Sequence, residues 1–281
     1  MLTLCQDEYF RNALAACVFG GGGIAIIGVF LTLMQIPFLG ICMAHAAFLG
    51  AIIGLLLGQA PFAWAMLACA VAGLAVGPLA EKTEASSNVV LSIIFSATMG
   101  LSLILMALIP GPKTEALNLM WGSLLTVSQQ QVWILGAVLL GLLVCLRAFY
   151  KEIVAVLFNR ELAAASGLPA ALIYYSIIML GGLTIGATLD MIGGLLIFAL
   201  LVNPANTASL LSCRLAVILP LAVALSISSC LIGLWASYLW DIPTGGSVVL
   251  VSSGLYLVAF LISPRRYQRQ ALAHETTSAI N

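Results

Sequence analysis

Nine long apolar segments limit most strongly what this chain can fold into. Each is close to the roughly 20 residues that an α-helix needs to cross the hydrocarbon core of a bilayer. Only 7% of the 281 residues are charged, against about a quarter in soluble domains. The sequence therefore predicts an all-α polytopic membrane protein with about nine transmembrane helices. The segments are 13–34, 37–57, 61–80, 89–109, 130–149, 171–190, 192–213, 215–238 and 246–263.

The positions of Lys and Arg predict how the chain is oriented. If the N-terminus lies outside and the C-terminus inside, only Arg11 and Lys113 fall on the outer side. This is the bias expected for cytoplasmic loops. We therefore expect one transmembrane domain over 1–263 and a polar cytoplasmic tail over 264–281. The residues that fall on the cytoplasmic side are Lys82, Arg147, Lys151, Arg160, Arg214, Arg265, Arg266 and Arg269.

A short polar stretch, FNRELAAASGLPA at Phe158–Ala170, lies between two apolar segments on the predicted cytoplasmic side. Its pattern predicts a short helix over 159–169, with a capping Asn at its start and a Gly-Leu-Pro stop. Such a helix has little reason to exist unless a partner docks on it. The chain contains no GxxxxGK[ST] motif, so the energy of an active transporter would come from another chain or from an ion gradient. The short helix favours the first alternative, with a cytosolic ATPase as the docked partner. The residues expected to form this coupling helix include Asn159, Glu161, Ala164, Gly167 and Pro169.

His45 lies within the second apolar segment. An ionisable side chain in a membrane span is a candidate functional residue, and imidazole is a common ligand of transition metals. Cys42 precedes His45 by three residues and is therefore expected on the same helical face. The alternative is a packed histidine that is hydrogen-bonded to a backbone carbonyl group.

Two acidic residues stand close to the apolar segments. Asp190 lies between the sixth and seventh segments, and Asp241 lies between the eighth and ninth. Each could cap a helix or form a turn, or it could face a pathway. Together with His45, and with Cys42 or Met191 nearby, they have the mixed ligand character of a transit site for a divalent metal. Such an ion would be transported cargo, with no cofactor bound permanently.

Two further patterns leave alternatives open. Asn203 and Pro204 lie inside the seventh segment, where a proline produces either a static kink or a hinge with a polar lining group. Residues 110–128 contain apolar positions at helical spacing and predict a short interfacial or re-entrant helix. Gly20–Gly23 either permits close helix packing or kinks the first segment.

Several stretches in this order resemble the membrane-spanning permease of bacterial metal-type (zinc, manganese or iron) ABC importers. They are LGICMAHAAFLGAIIG, MWGSLLTVS, FNRELAAASGL, IGGLLIFALLVNPANTASLL and DIPTGGSVVL. The resemblance implies a homodimer or close heterodimer of permeases in the bacterial inner membrane, with two cytosolic ATPase subunits and an extracytoplasmic metal-binding protein. A net charge of zero gives no indication of a nucleic-acid partner.

The resemblance also assigns individual residues. ELAAASGL corresponds to the coupling helix, His45 to the second-span histidine, and Asp241 to the acid of a late DxPxG turn. One position departs from the pattern, because Ile41 stands where the family usually has an aspartate. The loss of a hard carboxylate weakly favours softer ions, and it is also compatible with a metal chelate as cargo.

Other classes of membrane protein fit the sequence less well. A secondary transporter driven by an ion gradient would be expected to show inverted repeats and broken helices, and it would leave the coupling helix without a role. An intramembrane enzyme would need a signature such as GxSxG or HExxH, and the sequence contains neither. The preferred hypothesis is therefore a transport subunit and not an enzyme.

Overall fold

The computed structural model describes residues 8–83, 86–110, 114–122, 124 and 127–263. Over these residues the chain forms twelve α-helices, numbered in chain order. They are α1 (Glu8–Leu33), α2 (Phe38–Leu56), α3 (Pro61–Thr83), α4 (Ser87–Leu108), α5 (Thr114–Trp121), α6 (Gln129–Ala148), α7 (Tyr150–Phe158), α8 (Arg160–Ala165), α9 (Ala170–Ile192), α10 (Gly194–Leu211), α11 (Leu215–Trp240) and α12 (Thr244–Ile262).

Eight of the helices in the described part of the chain are long and apolar enough to cross a bilayer: α1, α2, α3, α4, α6, α9, α11 and α12. The apolar part of α10, Leu196–Leu211, is shorter. The all-α polytopic fold is therefore confirmed, with eight full-length candidate spans and one shorter apolar helix where nine spans were predicted. The predicted polar tail, 264–281, lies outside the described residues.

The helices α1 and α2 form the centre of the bundle. Within their apolar windows, 78% and 72% of the residues are buried, against 17% for α4 and for α6. Gly20–Gly23 lies inside an uninterrupted α1 and permits the close packing. A Cβ atom at Gly21 would lie only 3.2 Å from Cys230 Sγ, and Ser226 Oγ donates to the Gly21 carbonyl oxygen at 2.8 Å. Small residues therefore bring α1 and α11 together.

A second close approach joins α1 to α10. Pro204 lies within α10, and its ring removes a backbone donor from the helical ladder. One turn earlier, the Leu201 carbonyl oxygen lies so close to Gly28 of α1 that a Cβ atom at Gly28 would overlap it. Asn203 Nδ2 donates to Ser253 Oγ at 3.1 Å, which ties α10 to α12. The proline segment is therefore held by packing on two neighbouring helices.

We expect Gly28→Ala to destabilise the protein because the added methyl group would meet backbone atoms of Leu201, which a rotamer change cannot move. Overpacking of this kind costs about 1–3 kcal/mol. The measurement is the thermal unfolding midpoint of the purified protein in detergent. Gly141→Ala is the matched control because nothing lies within 4 Å of a Cβ atom there. Equal midpoints for the two variants would contradict the close α1–α10 contact.

The turn between α9 and α10 consists of one residue. Gly193 is both the C-cap of α9 and the N-cap of α10, with φ 83° and ψ 145°, a conformation that favours glycine. Gly122 follows α5 with φ 69°, and a Cβ atom there would overlap the backbone of Ile192 and Gly193. The helix predicted within 110–128 is therefore confirmed as α5, which ends against this turn.

Candidate functional site

Two short helices, α7 and α8, follow α6 before the chain enters α9. Asn159 caps α8, since its Oδ1 atom accepts hydrogen bonds from the backbone N–H groups of Glu161 at 2.9 Å and Leu162 at 3.0 Å. After Ala165 the chain reverses at Gly167, whose φ is +86°. The predicted capped start and glycine stop are both present. The helix α7 was missed because its nine residues directly follow a long apolar segment.

The inner side of α8 is fixed to its neighbours. Ala163 is buried in a small cluster with Val156 of α7 and Ala170 of α9. The Arg160 guanidinium lies over the Tyr174 ring, 4.6 Å from its centroid, where a cation–π contact is favourable. A displacement of α8 would therefore be passed on to α9 through packed side chains.

The outer side of α7 and α8 carries exposed apolar residues. Phe158 is 87% exposed and Leu162 is 62% exposed. Glu161 and Ala164 are also exposed. Exposed apolar side chains of this kind mark a surface that contacts either a partner protein or the membrane. Phe158 and Leu162 were not among the predicted site residues, although two large apolar residues next to a helix cap could have indicated this surface.

His45 lies near the middle of α2 and is 5% exposed. Its ring packs edge-on against Phe95 of α4, with centroids 4.8 Å apart and an interplanar angle of 83°. The Nδ1 atom is buried and has no hydrogen-bond partner among the described residues. A buried polar atom without a partner is costly. His45 is therefore packed within the bundle. However, its Nδ1 atom does not form the hydrogen bond to a backbone carbonyl group that was expected for a purely structural histidine.

Cys42 precedes His45 by one turn of α2 and is 1% exposed. The thiol of the neighbouring Cys69 in α3 donates to the Met43 carbonyl oxygen at 3.3 Å. Cys42 and His45 therefore share one buried helix, as their spacing predicts. In the described part of the chain, no group of three or more His, Cys, Asp or Glu residues is arranged to hold a metal ion.

The two acidic residues differ in how they end their helices. Asp190 lies in the last turn of α9, and Gly193 occupies the N-cap of α10, so the interpretation of Asp190 as that cap is wrong. Asp241 is exposed and forms the C-cap of α11 in a left-handed conformation with φ 52°. Pro243 is the N-cap of α12. Both acids lie at helix ends, whereas His45 lies within α2.

The helix α4 exposes polar groups along a span. Ser92 and Ser96 are exposed and line a shallow groove with Val89, Ile93 and Ala97. The Ser92 hydroxyl donates to the Asn88 carbonyl oxygen, and the Ser96 hydroxyl donates to that of Ser92, each at 2.8 Å. Polar groups on an exposed face of a membrane helix usually face another protein or a watery pathway. The same helix covers His45 through Phe95.

The fold and these surfaces are those of a multi-pass membrane transport subunit. The short helix α8 lies outside the spans and is packed on its neighbours, and the buried His45 of α2 is covered by α4, which exposes polar groups. A comparison with known families agrees with this class. The chain belongs to the ABC 3 transport family, whose model matches residues 6–263. It is a multi-pass protein of the bacterial inner membrane.

Known proteins are similar to this chain over nearly its whole length. A "Manganese transport system membrane protein MntC" from Halalkalibacterium halodurans is 30% identical over 98% of this chain and 96% of its own length. A "Probable iron transport system membrane protein" from Haemophilus influenzae is 28% identical over 95% and 98%. Among solved structures, PsaBC from Streptococcus pneumoniae in complex with Fab superposes with a TM-score of 0.86 at 25% identity, covering 96% of this chain and 98% of the other.

Proposed function

We propose that this protein is the permease subunit of an ATP-driven importer that moves a divalent transition metal into the bacterial cytoplasm. The observation that carries the proposal is α8, a capped helix outside the spans with Phe158 and Leu162 exposed beside it. A cytosolic ATPase docks on this surface. Its movement reaches α9 through Ala163 and through the Arg160–Tyr174 contact.

The orientation follows from charge. Arg147, Lys151 and Arg160 cluster around α7 and α8, and such clusters favour the cytoplasmic side. This places the α9–α10 turn and α5 on the outer side, where an extracytoplasmic metal-binding protein delivers the ion.

A second copy of the chain packs near α4. This helix is buried over only 17% of its apolar window, and its exposed face carries Asn88, Ser92 and Ser96. Hydroxyl groups on such a face suit either a helix–helix contact or the wall of a pathway. In a dimer, the two α4 helices would line a passage between the copies.

The ion passes His45, whose Nδ1 atom has no protein partner in the described part of the chain. Rotation of the Phe95 ring would open His45 to the α4 side. Cys42, Asp190 and Asp241 remain candidate ligands along the route, and Asn203 with Pro204 remains a candidate hinge. A sparse ligand set suits transit, because an ion that is held too tightly is not released.

The test is ATP-dependent uptake by the permease and its ATPase reconstituted together in vesicles, with zinc, manganese and iron supplied separately. We expect uptake of at least one ion that stops when ATP is replaced by a non-hydrolysable analogue. Uptake driven by an ion gradient without ATP would instead identify a secondary transporter. Uptake of a metal chelate, with none of the free ions, would assign the cargo to chelates.

A further inference from the structure

An apolar cleft of about 360 Å³ lies between the end of α6, the start of α7 and the first half of α9. Its walls include Ile173, Ile177 and Leu180. Two of its lining residues, Phe149 and Leu172, are 53% and 66% exposed. The cleft therefore opens to the outside of the bundle.

One acidic side chain, Glu152, lines this apolar cleft. Its Oε2 atom is buried and has no hydrogen-bond partner among the described residues. The Ser176 hydroxyl, also in the lining, is already bonded to the Leu172 carbonyl oxygen at 2.8 Å. A buried carboxylate oxygen in apolar surroundings is unfavourable without a partner. A cationic group that entered the cleft would therefore bind Glu152 favourably.

The length of the cleft indicates what carries that cation. It runs along α9 from Pro169 to Leu180, which is about 16 Å at the helical rise of about 1.5 Å per residue. Half of a hydrocarbon core is about 15 Å. The apolar walls therefore match one acyl chain of a single leaflet, whereas a lysine or arginine side chain of a docked protein would fill only the mouth.

We propose that the cleft binds one phospholipid with a primary-amine headgroup, such as phosphatidylethanolamine, from the leaflet next to α7 and α8. The ammonium group donates to Glu152, and an acyl chain lies along Ile173, Ile177 and Leu180. Lys151, which is exposed beside Glu152 in the chain, balances the phosphate charge. This site depends on membrane insertion and not on the identity of the cargo.

This lipid would lie next to the segment 159–169, which contains α8. The cleft is lined by Pro169, at the end of that segment, and by Ile153 of α7. An acyl chain between α7 and α9 fills the space beside the cluster that holds Ala163. The bound lipid therefore stabilises the packing of α8 against α7 and α9. On the proposed function, in which the ATPase docks on α8, loss of the lipid would weaken the connection between the ATPase and α9.

Native mass spectrometry of the intact permease–ATPase complex tests the site. The complex is taken from membranes with equal amounts of phosphatidylethanolamine, phosphatidylglycerol and phosphatidylcholine, of which only phosphatidylethanolamine has an N–H donor in its headgroup. We expect one phosphatidylethanolamine per permease chain, retained about fivefold or more over the other two. Glu152→Gln should reduce that retention about tenfold, because a neutral amide oxygen still accepts a hydrogen bond from the ammonium group but no longer forms an ion pair with it. Equal retention of all three lipids, or an unchanged Glu152→Gln variant, would overturn the proposal.

Two matched controls separate lipid binding from general damage. Glu8→Gln makes the same chemical change at an exposed position at the start of α1 and should keep the lipid. Ser176→Phe fills the cleft and should remove the lipid, whereas Ala171→Phe, also exposed on α9, should not. A photo-reactive residue at Leu172 should cross-link to lipid. A cross-link to the ATPase there would show that a protein segment occupies the cleft, which also contradicts the proposal.

Discussion

Leu162→Asp is expected to detach the ATPase from the permease and to abolish ATP-dependent uptake. Leu162 is 62% exposed beside Phe158, which is 87% exposed. An aspartate there places a charge where the proposed partner buries an apolar side chain. Truncating such an anchor typically costs 2 kcal/mol or more, and each 1.4 kcal/mol is tenfold in affinity. We therefore expect at least about 30-fold weaker association, measured by co-purification and by titration of the ATPase onto the detergent-solubilised permease.

The control for this prediction is Leu57→Asp. Leu57 is 56% exposed at the end of α2, so the same substitution is made in a connecting segment away from α8. Leu57→Asp should keep the ATPase. The Leu162 side chain makes no contribution to the cap, because the cap uses the Leu162 backbone N–H group and Asn159 Oδ1. The helix itself should therefore persist in Leu162→Asp. A Leu162→Asp complex that assembles and transports at the normal level would show that the ATPase docks elsewhere.

The spans and the short helix α8 could be predicted because local rules decide them. A run of about 20 apolar residues has few alternatives to a membrane helix, and α2, α4, α6 and α12 each begin and end within two residues of the predicted segments. Asn159 and Gly167 also act locally, through a cap and a left-handed turn. The beginning of α1 differs more: it starts at Glu8, five residues before its predicted segment, because polar residues at the end of a span do not prevent helix formation.

The structural roles of Asp190 and Asp241 were harder to predict, because a shift of one residue along the backbone decides whether a side chain lies at the cap of a helix. Gly193 serves both α9 and α10, so the helix that contains Asp190 continues three residues longer than a capping role would allow. Similarly, Asp241 takes a left-handed C-cap conformation, in which aspartate is tolerated better than most residues. Sequence composition does not distinguish these neighbouring positions.

The surroundings of His45 depend on tertiary contacts that sequence spacing does not reveal. Its ring neighbour, Phe95, lies 50 residues along the chain on another span. The exposure of Ser92 and Ser96 likewise results from the packing of α4 mainly on one side, against α2. Amphipathic patterns are weak in such helices because lipid, like the bundle interior, accepts apolar side chains. The sequence could therefore identify His45 as a candidate site residue, but it could not show that α4 packs against it.

His45→Ala is expected to lower metal uptake about 10- to 100-fold while leaving the ATPase bound. The size follows from the usual effect of disturbing a metal-binding group. In this structure, the Nδ1 atom is buried and lacks a protein partner among the described residues, so it is available to a passing ion. The measurement is the initial rate of ATP-dependent uptake by the reconstituted complex, with co-purification of the ATPase recorded for the same preparation.

A second variant separates ligation from packing. His45→Phe keeps an aromatic ring against Phe95, and edge-on aromatic pairs of this kind are favourable, but it removes both ring nitrogens. If His45 binds the ion, His45→Phe loses uptake as completely as His45→Ala, although its thermal stability stays near that of the unchanged protein. If His45 only fills space between α2 and α4, His45→Phe retains uptake and only His45→Ala is impaired. Because the two roles predict opposite results for His45→Phe, that variant decides whether the ion passes His45.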